Sequence, residues 1–329
     1  MMRQLEDAGC GPDISEWDCG VDMNFNSSRR DVSLAKSGLR ARLAAGTPTL
    51  PIVLYCGRVA PEKCLVEMLA PMAKALAERL HELRGVRLSG GAAPGPAVAF
   101  VVVGDGPSLA PLKYRMAQVG PTFTLDVDSG VGPVPLVPWN AQKKGQPFVV
   151  TTFLGQVPHS PILGSVYATA DAFFSPSTCE TLGQVFQEAM ASGTVPVGAN
   201  AAGVPQVFDD GVEGHLFEPD DVAAAVTGVE RALGDRAALL GKSCPAVIPD
   251  VLRRAGDPLR SDRARDRVVS KSWGEAYAQA EAAYFRALST RWPYRVNWEF
   301  SRGGQPPRRR RSGGASPSTS EKIGKHPKL

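Results

Sequence analysis

Five short apolar runs, separated by stretches of helical periodicity, constrain this chain more than any other feature. PIVLYCG (residues 51–57), AVAFVVVGDG (97–106), VVTTFLG (149–155), AFFSPS (172–177) and TVPVGA (194–199) are apolar at consecutive positions, not at alternate ones. Strands of that kind must be covered on both faces. Residues 63–83, 108–118, 162–169, 180–192 and 221–233 carry apolar side chains at helical spacing. Strands alternating with helices predict an α/β fold with a parallel sheet, doubly wound by right-handed crossovers. Ligands in such sheets sit beyond the carboxyl ends of the strands. The functional residues are therefore expected just after each strand.

Other features bound the organisation. Residues 85–96 are rich in Gly, Ala and Pro, and 119–146 lack clear periodicity. Both read as inserts, the second as a surface excursion without chemistry of its own. Ser272 with Glu275 three residues on forms a capping box for a helix over 272–292. Its stripe of Trp273, Tyr277, Ala280, Tyr284 and Leu288 is expected to pack mainly against the same domain. Residues 1–20 read as an interdomain linker, 21–292 as the domain, and 293–329 as a basic disordered tail. Beyond Ser301 eight cations face Glu321 alone, although the whole chain is only +4. The body is thus mildly acidic and gives no reason to expect nucleic-acid binding. The tail reads as solvated, or as weakly attracted to an anionic membrane surface, a peripheral association.

The six cysteines show no CxxC pair and no zinc spacing, which fits a reducing compartment. No apolar run approaches the ~20 residues needed to span a bilayer. The amino terminus has neither a signal-peptide core nor the look of a transit peptide. No cluster of His, Asp or Glu has metal-ligand spacing, so no metal site is expected.

Three constellations carry chemistry. FSPSTCETLGQVFQEAMASGTVP (174–196) places Glu180 at the opening of a helix and Glu188 eight positions later. Eight helical residues advance by about 12 Å and turn by about 80° beyond two turns. The first carboxylate can meet sugar hydroxyls and the second a ribose, the span of a nucleoside diphosphate sugar. Backbone N–H groups near Thr181, Leu182 and Gly183 would face the pyrophosphate between them. Val185, Phe186, Ala189 and Met190 mark the helix as largely buried, where unpaired acids are costly. GRVAPEK (57–63) follows the first strand and brings Gly57, Arg58 and Lys63 to the sheet edge, two cations able to converge on one diphosphate. Glu62 stands beside Lys63 and is expected to orient it. GDGP (104–107) reads either as a tight turn under the donor or as a direct contact from Gly104, and the turn at Gly155 offers its backbone to a base edge. GDGP fails as a dinucleotide fingerprint because Leu109 takes the third glycine position. His159, between prolines in VPHSP, reads as an exposed loop residue and not as a catalytic one.

GVD (20–22), GRVAPEK, VVVGDGP, YATADAFFSPSTCETLGQVFQEAMASGTVPV and GVEGHLF follow one another in a single order. Together they resemble the donor-binding domain of the retaining family-four glycosyltransferases of GT-B fold, over roughly residues 14–233. Within that family, EWDCGVD, YATADAFFSPS and AAGVPQVF are most similar to the plant and algal sulfoquinovosyltransferases. They also suit GDP-mannose-dependent α-mannosyltransferases. The resemblance implies that Arg58 and Lys63 bind the diphosphate and stabilise the leaving group, that Glu180 holds the donor sugar, and that Glu188 binds the ribose. It implies no cofactor beyond a nucleotide-sugar donor, UDP-linked in the sulfolipid reading, with diacylglycerol as lipid acceptor and the chloroplast as location. Otherwise the location is the cytoplasm. The family places an acceptor-binding domain ahead of GVD, so acceptor binding is expected to lie outside this chain and the chain is expected to be unable to complete transfer alone. Two other readings remain: a non-catalytic nucleotide-sugar-binding module, and a nicotinamide-binding domain, against which the broken glycine fingerprint counts.

Overall fold

In a computed structural model that describes residues 20–21, 38–84, 95–136, 146–240, 250–269 and 272–291, the apolar runs become the central strands of one sheet. The strands are β1 (Ile52–Cys56), β2 (Pro96–Val103), β3 (Thr122–Thr124), β4 (Val134–Pro135), β5 (Phe148–Gly155), β6 (Ala172–Ser175), β7 (Pro196–Ala199) and β8 (His215–Phe217). Their order is β4-β3-β5-β2-β1-β6-β7-β8. All neighbouring pairs are parallel except β3 with β4. From β1 the chain adds β2, forms β3 and β4 at the far edge, inserts β5 between β3 and β2, then returns to lay β6 on the other side of β1. The crevice between β1 and β6 is therefore the switch point where sheets of this kind bind ligands.

The helices are α1 (Leu39–Leu43), α2 (Leu65–Leu83), α3 (Leu109–Met116), α4 (Pro161–Thr169), α5 (Gln184–Ala191), α6 (Val204–Val207), α7 (Val222–Leu240), α8 (Asp250–Ala255), α9 (Arg260–Val269) and α10 (Trp273–Arg291). Side chains alternate across a strand, and β1 divides accordingly. Val53 and Tyr55 join the core under α2, α3 and α7, built from residues such as Leu76, Leu112 and Leu233. Ile52, Leu54 and Cys56 join the opposite core with Leu43, Tyr167, Phe186, Met190 and Val268, under α1, α4, α5 and α9. Both cores are buried, which is why the central strands are apolar on both faces, with buried Thr151 and Thr152 of β5 the polar exceptions at its centre.

Two expectations need correction. Residues 119–146 are not a pure surface excursion, because β3 extends the sheet beside β5. The loop behind it is tied down by Arg42, whose guanidinium donates to the carbonyls of Asp126, Val127 and Val131; residues 137–145 lie outside the described residues. Helix α10 starts at the expected capping box, with Ser272 Oγ accepting from the Glu275 amide and the Glu275 carboxylate accepting from the Ser272 amide. Its stripe packs in part, with Trp273 and Ala280 half-buried. Tyr277 is 61% exposed, and Ala276 is the residue turned into the domain. Strand β8 and helices α6, α8 and α9 were not anticipated.

The chain divides into two compact units, Met1–Tyr284 and Phe285–Leu329. The sheet belongs to the first. The expected linker before residue 20, the insert at 85–94, Asp22, the side chains of Tyr284 and Leu288, and the basic tail lie outside the described residues.

Candidate functional site

Three glycines end three adjacent strands and bring their backbones together. The Gly57 amide donates to Val103 and the Gly104 amide to the Gly155 carbonyl, at 3.0 and 2.7 Å. All three have positive φ (148°, 127° and 67°), a region that residues with a β-carbon rarely adopt. A β-carbon on Gly104 would lie 1.9 Å from the Gly57 carbonyl oxygen. The strand ends thus close on each other with no side chain between them. Tyr55 steadies this edge, its buried hydroxyl donating to the Arg58 carbonyl at 2.9 Å. Burial, with Cys56, Glu180 and Glu62 nearby, holds that phenol protonated well above its usual range.

Beyond Gly57 the chain makes a short 3-10 turn (Pro61–Lys63) before α2. Cys64 joins the two in a left-handed conformation, φ 53°. The turn delivers Lys63 across the β1–β6 crevice to the Glu180 carboxylate, Nζ to Oε1 at 2.5 Å, both side chains largely buried. Cys64 Sγ lies 3.7 Å from Thr178 Oγ1 in the same crevice. Glu62 was expected to orient Lys63, but it pairs instead with Arg58. Four residues separate those two, and the bond closes within their own loop. Arg58 is on the predicted edge, yet its side chain is 65% exposed and engaged away from the Lys63–Glu180 pair.

Glu180 does not open a helix. Helix α5 begins at Gln184, and Gly183 before it is left-handed, φ 57°. That conformation interrupts the helical path, so the two-turn spacing of Glu180 from Glu188 does not hold. Glu180, Thr181 and Leu182 form a loop, with Thr181 and Leu182 exposed. The loop rests on Gly203, which donates to the Glu180 carbonyl at 2.8 Å. A β-carbon there would lie 2.4 Å from the Thr181 carbonyl oxygen. Gly203 was missed as a supporting residue, although the glycine in AAGVPQVF is a local signal for such an approach.

Glu188 is on α5 and is buried as expected, 6% exposed. Two residues not assigned to the site from sequence hold it. Tyr167 on α4 donates to Oε2 at 3.0 Å, and His159 Nε2 lies 3.4 Å from Oε1. The ring of Phe186, edge-on to Phe173 at 5.3 Å, seats α5 against the sheet. Burial pushes the Tyr167 phenol well above its usual pKa, with Cys56 and Glu188 adding to it. Burial likewise pushes the Cys56 thiol up to about 12. Both groups stay protonated beneath the carboxylate. Among the described residues, no group of three or more His, Cys, Asp or Glu could hold a metal ion. No helix among them is long and apolar enough to cross a membrane.

This arrangement is a switch-point crevice with a cation–carboxylate pair at its mouth and a second carboxylate deeper in. The comparisons with known proteins bear on the domain that carries it. Residues 140–243 match the family of glycosyl transferases group 1. The chain carries a group 1 glycosyltransferase domain. That domain has the doubly wound half of a GT-B fold, and the matched span holds Gly155, His159, Glu180 and Glu188. The sulfoquinovosyl transferase SQD2 of Arabidopsis thaliana is 33% identical over 224 residues, 67% of this chain and 33% of that protein. A GDP-mannose-dependent alpha-mannosyltransferase of Corynebacterium glutamicum is 27% identical over 221 residues, 67% of this chain and 39% of that protein. The chain thus spans between a third and two fifths of the length of these relatives. Among solved structures, Anabaena Alr3699/HepE in complex with UDP superposes with a TM-score of 0.54 at 18% identity, covering 88% of this chain and 61% of that one. A glycosyltransferase from Rickettsia africae superposes with a TM-score of 0.56 at 14% identity, covering 87% and 61%.

Proposed function

We propose that this domain binds the nucleotide-sugar donor of a retaining, metal-independent hexosyltransferase, with the donor lying across the β1–β6 crevice. The observation that carries the reading is the Lys63–Glu180 pair at the switch point. Lys63 and Glu180 each satisfy the other's charge. A diphosphate entering the crevice offers Lys63 a more highly charged partner and releases Glu180 to accept from the sugar hydroxyls. Negative charge builds on the departing diphosphate as the glycosidic bond breaks. A fixed ammonium there favours the transition state over the ground state. Arg58 adds a second cation once it exchanges Glu62 for phosphate. Glu188, deeper in the crevice, accepts from the ribose, and the bare strand ends at Gly57, Gly104 and Gly155 let the nucleotide lie close to the backbone.

The donor in this reading is UDP-linked, with sulfoquinovose transferred to a lipid acceptor at a membrane surface that the domain meets peripherally. Similarity to SQD2 supports the sugar, and the UDP complex of a neighbour in fold makes UDP the nucleotide to test first. A GDP-mannose-dependent reaction is the second reading, supported by the mannosyltransferase relatives. Calorimetric titration of the purified chain with UDP, GDP and NAD separates them. UDP binding, weakened at least tenfold in Lys63→Ala, is the expected result. Preference for GDP selects the second reading. Preference for NAD, or nucleotide binding indifferent to Lys63→Ala and Glu188→Ala, overturns the proposal.

A further inference from the structure

The two oxygens of Glu188 stand in different surroundings. Oε2 is turned inward and accepts from Tyr167 at 3.0 Å. Tyr167 is fully buried, its ring 5.8 Å from that of Phe173, so this donor is always in place. Oε1 is turned the other way, toward His159 at 3.4 Å. His159 sits in the loop between Gly155, at the carboxyl end of β5, and α4. Its side chain is 45% exposed while that of Glu188 is 8%. The outward oxygen of a buried carboxylate therefore shares the crevice edge with a half-exposed imidazole.

We infer that His159 is a second contact for the ribose, reading the same vicinal diol as Glu188. This rests on the proposed role of Glu188. Polar atoms 3.4 Å apart are close enough for hydroxyls on adjacent carbons to touch both. The carboxylate only accepts, whereas a neutral imidazole nitrogen accepts or donates according to tautomer. One hydroxyl gives its proton to Oε1, and the other completes its bonding at Nε2. Tyr167 acts as a positioning residue: its bond to Oε2 fixes the carboxylate with Oε1 toward His159. A ribonucleotide satisfies both partners, and a nucleotide lacking the diol leaves a buried carboxylate without its ligand bond.

The test compares UDP with 2′,3′-dideoxy-UDP by calorimetry on the full chain, for the wild type, Glu188→Gln, His159→Ala, His159→Asn and Tyr167→Phe. The readout is the ratio of the two dissociation constants, which a general loss of packing does not change. The wild type is expected to prefer UDP, and Glu188→Gln to lose most of that preference. His159→Ala is expected to weaken UDP binding about tenfold with little effect on the dideoxy analogue, and His159→Asn to recover part of the loss. Tyr167→Phe keeps the ring in the core and is expected to reduce the ratio as well. The inference is overturned if His159→Ala weakens both nucleotides alike, or if it tightens UDP binding, which would make the imidazole a competitor of the ribose for Glu188. An unchanged ratio in Glu188→Gln overturns the assignment of Glu188 itself, and with it this inference.

Discussion

The two edges of the sheet both hold charged residues, but in opposite ways. At the amino edge, Asp171 precedes β6 with no exposure and accepts from the Ile52 amide at 2.7 Å and from Arg40 at 2.5 Å. Arg40 also donates to the carbonyls of Pro48, Leu50 and Thr169. A few strands along, Asp235 accepts from His215 and Arg260 at 2.8 and 2.6 Å and from the Asp257 amide at 2.7 Å. Each carboxylate there has more than one donor, as burial of a charge requires. At the carboxyl edge, Lys63 and Glu180 have chiefly each other, and Arg58 has a neighbour on its own loop. Multiply bonded charges hold strands in place, whereas singly bonded ones can exchange partners. The difference separates Asp171 and Asp235, which serve the fold, from Lys63, Glu180 and Arg58, which are available to a ligand; Glu188 stands between them, one oxygen held by Tyr167 and the other toward half-exposed His159.

That contrast can be broken experimentally. The largest effect is expected from Asp171→Ala, which removes the counter-charge from the buried guanidinium groups of Arg40 and of Arg236, 3.9 Å away on α7, and should cost about 3–5 kcal/mol in denaturant unfolding. Nucleotide affinity of the folded protein should stay within about twofold. A variant of normal stability with poor affinity would place the working charge at the wrong edge. Gly104→Ala pushes a β-carbon against the Gly57 carbonyl at a φ of 127°. It should cost about 3 kcal/mol and also abolish nucleotide binding, since the strand ends must separate. If calorimetry finds binding intact, the close approach of the glycines is not part of the site.

Cys56 sharpens the comparison, because it is a buried group kept neutral, with the Tyr167 hydroxyl and no charged partner beside it. Its thiol is raised by burial from 9.0 to about 12. The stabilisation is complete below the unfolded value and is lost as pH rises from 9 toward 12. By about pH 10.5 the wild type should have lost about 2 kcal/mol from this group, and Cys56→Ala should show a shallower alkaline decline in chemical unfolding. The smallest effect belongs to Cys64, left-handed at the start of α2. Cys64→Gly relieves a backbone cost and adds unfolded-state entropy, for a net gain of up to about 1 kcal/mol. A rise in Tm with unchanged UDP affinity is expected; a loss of affinity would show that the thiol touches the ligand.

What could be read beforehand depended on distance along the chain. The strands β1, β2, β5, β6 and β7 were legible because each is a run of apolar residues too continuous for a half-buried strand. The capping box of α10 was legible because Ser272 and Glu275 are neighbours on one turn. Strand β8 is only three residues long and opens with a histidine whose partner, Asp235, lies on another element. The helix was begun at Glu180 because TLGQVF keeps helical spacing, and only the left-handed Gly183 reveals the break. Residue types identified Lys63, Glu180 and Glu188, but not which of them would meet. The Lys63–Glu180 contact spans 117 positions, and no periodicity reaches that far. His159 was set aside because the prolines flanking it signal a loop, and nothing local reveals that this loop ends at Glu188.

Hydrogen–deuterium exchange of the chain with and without saturating UDP tests the central claim most directly, that the carboxyl edge at the β1–β6 switch point is the donor site. The account predicts slower exchange across residues 57–64, 155–160 and 178–188, with the amides around Ile52, Asp171 and Asp235 unchanged. Protection centred on the amino edge, or spread evenly over the sheet while calorimetry shows UDP bound, would contradict it.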